Sequence, residues 1–212
     1  MVSLRDPSSP SAPRRAAMSA VEPDSAGSGG GASRSAGAPG HPDGVERVVL
    51  DDVAIRRALV RIAHELVERN ESLEGIYLVA IPNGGVPLAR QIAVNLAEIA
   101  GVEAPVGILD TTLYRDDLVS RGERPPLRRT EMPSAVDGRT VVLVDDVVST
   151  GRTIRAAMDA LMDFGRPRAV QVVGLVDRGH RELPIRIDYV GKNLPTQRSE
   201  RVELREIGRA HV

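Results

Sequence analysis

The chain has 212 residues, of which 42% are hydrophobic and 27% charged, with a formal net charge of −1. That describes one soluble globular domain, or one domain with a tail, with no global pull toward nucleic acid or membrane, so any basic site must be local. Cysteine is absent, which excludes disulfides, thiolate metal sites and cysteine nucleophiles. No apolar run approaches the roughly 20 residues that a spanning helix needs, and the chain reads as cytoplasmic with no membrane partner. Aromatics make up 2%, with one Phe (Phe164) and no Trp, so the core must be aliphatic. Rows of stacking rings for nucleic acid are likewise excluded. Lys192 is the sole lysine among 28 basic residues.

Residues 1–44 are dominated by Ser, Ala, Gly and Pro. Such a segment buries too little apolar surface to offset its ordering entropy and is expected to be a disordered tail before a domain over 45–212. From residue 45 the pattern changes. "VERVVLDD" predicts a short strand. A helix follows with Ile55, Leu59, Ile62, Ala63 and Leu66 on one face, capped by Asp51 or Asp52. "GIYLVAI" (75–81) predicts a strand ending in "PNGG", and "VPLARQIAVNLAEIA" the next helix. "VGILDTTLY" (106–114) reads as a strand, followed by a polar, proline-broken stretch to 133. "TVVLVDD" (140–146) is another strand, "TIRAAMDALMDFG" a helix closed by Gly165, and "AVQVVGLVD" (169–177) a further strand. The remainder reads as loop-rich. Strands alternating with helices, several strands apolar throughout, predict an α/β fold with a mainly parallel sheet covered on both faces.

The stretch "VVLVDDVVSTGRT" (141–153) sets two carboxylates, Asp145 and Asp146, after four apolar residues. Ser149, Thr150, Gly151 and Thr153 follow just before a helix. In open α/β sheets, ligands collect at the carboxyl ends of strands. Backbone N–H groups, hydroxyls and the helix dipole there form an anion cradle. The carboxylates cannot hold phosphate, but they accept hydrogen bonds from sugar hydroxyls or stand near a metal. Together they ask for a ribose 5-phosphate. A P-loop would need G-x-x-x-x-G-K-S/T, yet around Lys192 Arg186 replaces the first glycine and Asn193 the hydroxyl residue. No G-x-G-x-x-G follows a strand. A plain turn cap remains the bland alternative.

"VVLVDDVVSTGRT" resembles the phosphoribosyl diphosphate (PRPP) motif of type I phosphoribosyltransferases. With "AIRRALVRIAHELVERN", "TLYRDDL", "GRTIRAAMDAL" and "LVDRGHRELPIRIDYVGKNLPT", residues 45–206 are similar to the PyrR family, pyrimidine operon attenuators that are also uracil phosphoribosyltransferases. The resemblance implies a type I phosphoribosyltransferase fold with a flexible flap and a small hood. The implied reaction converts uracil and PRPP to UMP and diphosphate, with Mg2+ held mainly through PRPP. It assigns PRPP binding to Val144, Asp145, Asp146, Val147, Val148, Ser149, Thr150, Gly151, Arg152 and Thr153, with Asp145, Asp146 and Arg115 as the catalytic groups. Arg115 belongs to the flap that begins at residues 111–117. The loop holding Asn83, Gly84 and Gly85 grips the diphosphate. Arg178, Tyr189 and the Val190 backbone meet the base, Tyr189 by stacking.

The same resemblance implies a homodimer or larger assembly that binds the messenger RNA leader of the pyrimidine operon when loaded with UMP or another nucleotide. The matching positions are Arg61, His64, Arg69, His180, Arg181, Arg186, Lys192 and Thr196. Two departures stand out. The loop after residue 81 reads Pro-Asn-Gly-Gly where the family usually has Thr-Arg-Gly, so an arginine charge is missing. Val148-Ser149-Thr150 replaces the usual Leu-Tyr-Thr. Two other readings therefore stay open: an RNA-binding regulator with a decayed enzyme site, and a phosphoribosyltransferase for another base with no RNA role.

Overall fold

The structure, a computed structural model, describes residues 1–5, 47–82, 84–116 and 129–205. Its strands and helices are β1 (Val2–Arg5), β2 (Arg47–Leu50), α1 (Asp52–Arg69), β3 (Ile76–Ala80), α2 (Gly85–Ala100), β4 (Val106–Ile108), β5 (Thr140–Val148), α3 (Arg152–Met162), β6 (Ala169–Asp177), β7 (Tyr189–Asn193) and β8 (Arg201–Leu204).

The helices start and stop where local chemistry directs. Asp51 caps α1 by accepting from the Ala54 N–H at 2.7 Å, and Asn70 closes it by donating Nδ2 to the Leu66 carbonyl at 2.8 Å. Helix α2 ends on Gly101 in the left-handed region, whose N–H returns to the Ala97 carbonyl. The predicted apolar face of α1 is the buried one: Ile55, Leu59, Ile62, Ala63 and Leu66 are all buried.

Five strands form a parallel sheet in the order β4-β3-β5-β6-β7. Alternate residues feed two cores. Ile76, Leu78, Ala80, Val142 and Val144 pack with α1 and α2, whereas Tyr77, Val79, Val141 and Leu143 pack with Ile154, Ala157, Ala160 and Leu161 of α3. Burial on both faces is why these strands read as continuous apolar runs. Each fully buried leucine or isoleucine here contributes about 1.5–3 kcal/mol.

The chain leaves β3 for β4 on one side and returns to β5 on the other. The sheet's topological switch therefore lies between β3 and β5, with α2 and α3 opening from their carboxyl ends.

Four differences from the sequence reading appear. Strand β4 stops at Ile108 because Asp110 takes the Thr112 N–H and hydroxyl at 2.9 and 2.6 Å, turning residues 112–114 into a 3-10 turn. Strand β5 continues past the two carboxylates to Val148, since Val147 and Val148 keep pairing with Val176 and Asp177. The region after 177 holds two further strands, β7 and β8. Residues 2–5, expected to be disordered with the tail, instead form β1 in the middle of a three-stranded antiparallel sheet, β2-β1-β8, with Val2 fully buried. Residues 6–46 of that expected tail lie outside the described residues.

Candidate nucleotide site

A cleft of about 330 Å³ opens at the switch point. Its floor is Asp145, Val147 and Val148, the carboxyl half of β5. Ser149, Thr150, Gly151 and Thr153 curl from there into the start of α3, and Arg115, Arg178, His180 and Arg198 stand around the rim.

Gly151 has φ of +89°, a conformation that suits glycine, and as the residue before α3 it offers no side-chain cap of its own. The Thr150 hydroxyl accepts from the first amide of this 11-residue helix, that of Arg152, at 3.3 Å, and the start of such a helix is where backbone N–H groups and the dipole receive an anion. The loop is braced from behind. The Thr150 carbonyl accepts from the N–H groups of Glu182 and Leu183 at 3.0 and 3.2 Å, and Arg181 donates Nη1 to the Ser149 carbonyl at 2.5 Å.

Asp145 is only 5% exposed. Burial, reinforced by the adjacent Asp146 carboxylate, holds its carboxyl well above the usual carboxylate range, while the positive charge of Arg115 pulls it down. Strongly perturbed acids of this kind gather at functional sites. Gly84 passes so close to Asp146 that a β-carbon there would overlap its carboxylate, and one on Gly85 would press on the Val144 carbonyl. The glycine loop after β3 thus abuts the acids at the end of β5. Asn83 lies outside the described residues.

On the far wall, Arg178 donates Nε to the Thr196 hydroxyl at 3.2 Å and Nη2 to the carbonyls of Gln197 and Glu200 at 3.2 and 2.8 Å. Its partial burial pushes the guanidinium pKa down, opposed by the Glu200 charge.

Several expected site residues stand elsewhere. Tyr189 is 1% exposed and sits in the core beside α1, its hydroxyl donating to Gln171 at 3.1 Å and its ring beneath the Arg69 guanidinium. Stacking on a base is closed to it, and that expectation is corrected: strand β7 turns this ring inward. The Val190 carbonyl accepts from Arg61 at 3.2 Å, away from the cleft. Val144 has its side chain in the core and its carbonyl taken by the Ile81 N–H. The Arg152 side chain turns outward to Glu182 and Asp116, each at 2.8 Å, so only its backbone remains at the anion cradle.

The expected RNA residues also separate. His180 lines the cleft and meets the Thr196 carbonyl at 2.8 Å. Arg61 donates to the Gly191 carbonyl at 2.7 Å, Arg69 to the Asp188 carbonyl at 2.7 Å, and Arg181 to Ser149, Asp177 and Ile185. These three brace β7 and the loops around it. Lys192 reaches the Val49 carbonyl at 3.3 Å. His64 and Arg186 are exposed. Arg198 on the cleft rim escaped the sequence reading because it sits in a polar stretch with no periodicity.

A parallel sheet whose switch point sets a buried carboxylate beside a helix start can hold a sugar phosphate, and the family match makes the chain a phosphoribosyltransferase. The phosphoribosyl transferase domain family matches residues 47–204, three quarters of the chain. Solved structures agree on the fold. A hypoxanthine phosphoribosyltransferase from Staphylococcus aureus superposes with a TM-score of 0.56 at 19% identity, covering 71% of this chain and 79% of that one. One from Trypanosoma cruzi gives 0.58 at 20% identity, covering 71% and 78%.

Within that class the chain belongs to the PyrR family. It is 57% identical over 155 residues to the bifunctional protein PyrR of Geobacter sp., covering 73% of this chain and 88% of that protein. It is 59% identical over 160 residues to the one from Roseiflexus sp. (76% and 87%) and 60% identical over 151 residues to that of Thermus thermophilus (71% and 83%).

Proposed function

We propose that the chain transfers the ribose 5-phosphate of PRPP to uracil, giving UMP and diphosphate, and controls pyrimidine genes by binding their messenger RNA leader. The observation that carries the enzymatic half is the buried Asp145 beside the glycine-led start of α3. The amides of 149–153 receive the 5-phosphate. Asp145 and Asp146 accept from the ribose hydroxyls, and Gly84 and Gly85 let the backbone approach the diphosphate. The base lies toward Arg178, which reaches one of its exocyclic oxygens. Uracil nitrogen bonds to the anomeric carbon as the bond to diphosphate breaks, the electron pair leaving with diphosphate and the nitrogen shedding its proton. No covalent enzyme intermediate is needed. Catalysis rests on alignment and on the charges of Arg115 and the cradle.

Magnesium fits this donor set. No group of three His, Asp or Glu side chains forms a cage among the described residues. One or two carboxylates, Asp145 and Asp146, completed by PRPP oxygens and water, are what this hard cation takes. When bound, it neutralises charge on the departing diphosphate.

The regulatory half draws on the relatives, which are named bifunctional. In the folded chain, Arg61, His64, Arg69, Arg186 and Lys192 are the exposed members of the matching basic set, of which Arg61, Arg69 and Lys192 also donate to backbone carbonyls. Assembly as a dimer or larger belongs to the same reading, as does a cytoplasmic location; among the described residues, no helix is long and apolar enough to cross a membrane.

The test is the purified protein with PRPP, Mg2+ and separately uracil, guanine and hypoxanthine. UMP formation is expected. Product with a purine alone favours an enzyme for another base, and no product with any base, alongside salt-dependent binding to the leader RNA, favours a regulator without catalysis. That last reading draws on the arginine missing from residues 82–85.

A further inference from the structure

The small sheet β2-β1-β8 has an unusual construction. The matched phosphoribosyl transferase stretch begins at Arg47, the first residue of β2, and ends at residue 204, the last of β8. The strand between them, β1, comes from outside that stretch. Among the described strands, β8 pairs with β1 and with no other, through Val2–Leu204, Ser3–Glu203, Leu4–Val202 and Arg5–Arg201. The Arg205 N–H extends the pairing to the Met1 carbonyl at 2.7 Å. On its other edge β1 pairs with β2. Nor is β1 loosely laid on the surface. Val2 is fully buried in the core that Leu50, Val202 and α1 share, and Ser3 is 1% exposed.

Strand β8 matters to the nucleotide cleft through the residues just before it. The turn at 196–200 supplies the Thr196 hydroxyl and the Gln197 and Glu200 carbonyls that hold the Arg178 guanidinium, and the Thr196 carbonyl that meets His180. It also carries Arg198 to the cleft rim. One end of this turn is fixed at β7, where the Leu194 N–H donates to the Asp177 carbonyl. The other end is β8, and its strand partner is β1.

We infer that β1 is a positioning element for the base end of the cleft: by seating β8, it sets the wall that orients Arg178 and Arg198. This rests on the reading above that the base lies toward Arg178. The phosphate end is built differently, from β5, the start of α3 and the loop braced by Arg181 and Glu182. Loss of β1 therefore loosens one end of the site and spares the other, a split that a purely structural strand would not produce.

The experiment is steady-state kinetics on the full chain with Ser3→Pro, a residue that breaks pairing in a middle strand, beside Ser3→Ala. The serine Oγ is buried with no hydrogen-bond partner, so alanine keeps the strand and serves as the control. For Ser3→Pro, the uracil KM rises about tenfold or more while the PRPP KM stays within twofold; Ser3→Ala stays at wild-type values. Unchanged uracil KM in Ser3→Pro, or equal rises in both KM values, overturns the inference. If Ser3→Pro does not fold, Val2→Ala, which removes the fully buried side chain that anchors β1 beside Leu50 and Val202 and so weakens the seat of β8, carries the same comparison with a threefold threshold. A wild-type chain inactive with uracil refutes the proposed reaction instead. In that case the inference is read from UMP binding, which must weaken in Ser3→Pro while inorganic diphosphate binding holds; equal binding by the two proteins overturns it.

Discussion

Gly84 and Asp146 touch across the switch point of the sheet, the glycine of the loop after β3 lying directly against the carboxylate near the end of β5. The backbone of Gly84 is ordinary, with φ of −83°, so what excludes a side chain is space, not conformation. That contact brings the loop expected at the diphosphate and the acids expected at the ribose into one site.

Gly84→Ala forces the loop off Asp146. Overpacking of this kind costs about 1–3 kcal/mol. A displacement at the reacting centre is expected to lower kcat/KM for PRPP by roughly 10–100-fold, since each ~1.4 kcal/mol of barrier is a factor of ten. Thermal unfolding and PRPP kinetics measure the two effects, and wild-type kcat/KM would show that the loop takes no part.

Asp145 gives a prediction of opposite signs for stability and activity. Its carboxyl is held above the usual range in the folded protein, so the folded state binds this proton more tightly than the unfolded one. The stability of the ligand-free protein therefore falls as pH rises from about 4, the ordinary carboxylate value, toward the raised folded value. Asp145→Asn removes that penalty. At neutral pH its melting temperature should exceed wild type, by roughly 2–4 °C for each kcal/mol relieved. PRPP turnover should meanwhile fall by about 100-fold or more, as an amide cannot replace the carboxylate toward the ribose hydroxyls. A destabilised Asp145→Asn would contradict the burial argument.

Tyr189 belongs to the core. Tyr189→Phe removes its bond to Gln171 and is expected to cost about 0.5–1.5 kcal/mol in denaturant unfolding. The uracil KM should stay within twofold. A tenfold rise would return the ring to the base site.

For RNA, Arg186→Ala should weaken leader binding and reduce the slope of log K against log salt by about 1. Arg61→Ala removes the donor to the Val190 and Gly191 carbonyls, so its first effect should be on unfolding. Equal loss of RNA affinity without loss of stability in Arg61→Ala would make it a direct contact.

Much of this was legible in the sequence where burial and periodicity coincide. Strands β3 and β6 and the buried face of α1 follow from apolar runs and 3.6-residue spacing, and the cleft from Asp145 to Thr153 follows from chemistry at a strand end. What the sequence concealed depends on distant partners. Val2 is five residues from a Ser- and Pro-rich segment, and only the seats offered by β2 and β8 make it a strand. Tyr189 read as a base platform because a strand's pattern does not say which face a ring takes; packing against α1 decides it. The arginines Arg61, Arg69 and Arg181 read as RNA-binding positions, and their carbonyl partners lie far away in the chain or within a local turn that leaves no periodic trace.

The most direct measurement is a crystal structure of the chain with UMP and Mg2+. The account predicts the 5-phosphate on the backbone amides of 149–153 at the start of α3, the ribose hydroxyls against Asp145 and Asp146, and the uracil ring toward Arg178. A nucleotide bound anywhere else, with that cradle left empty, would contradict it.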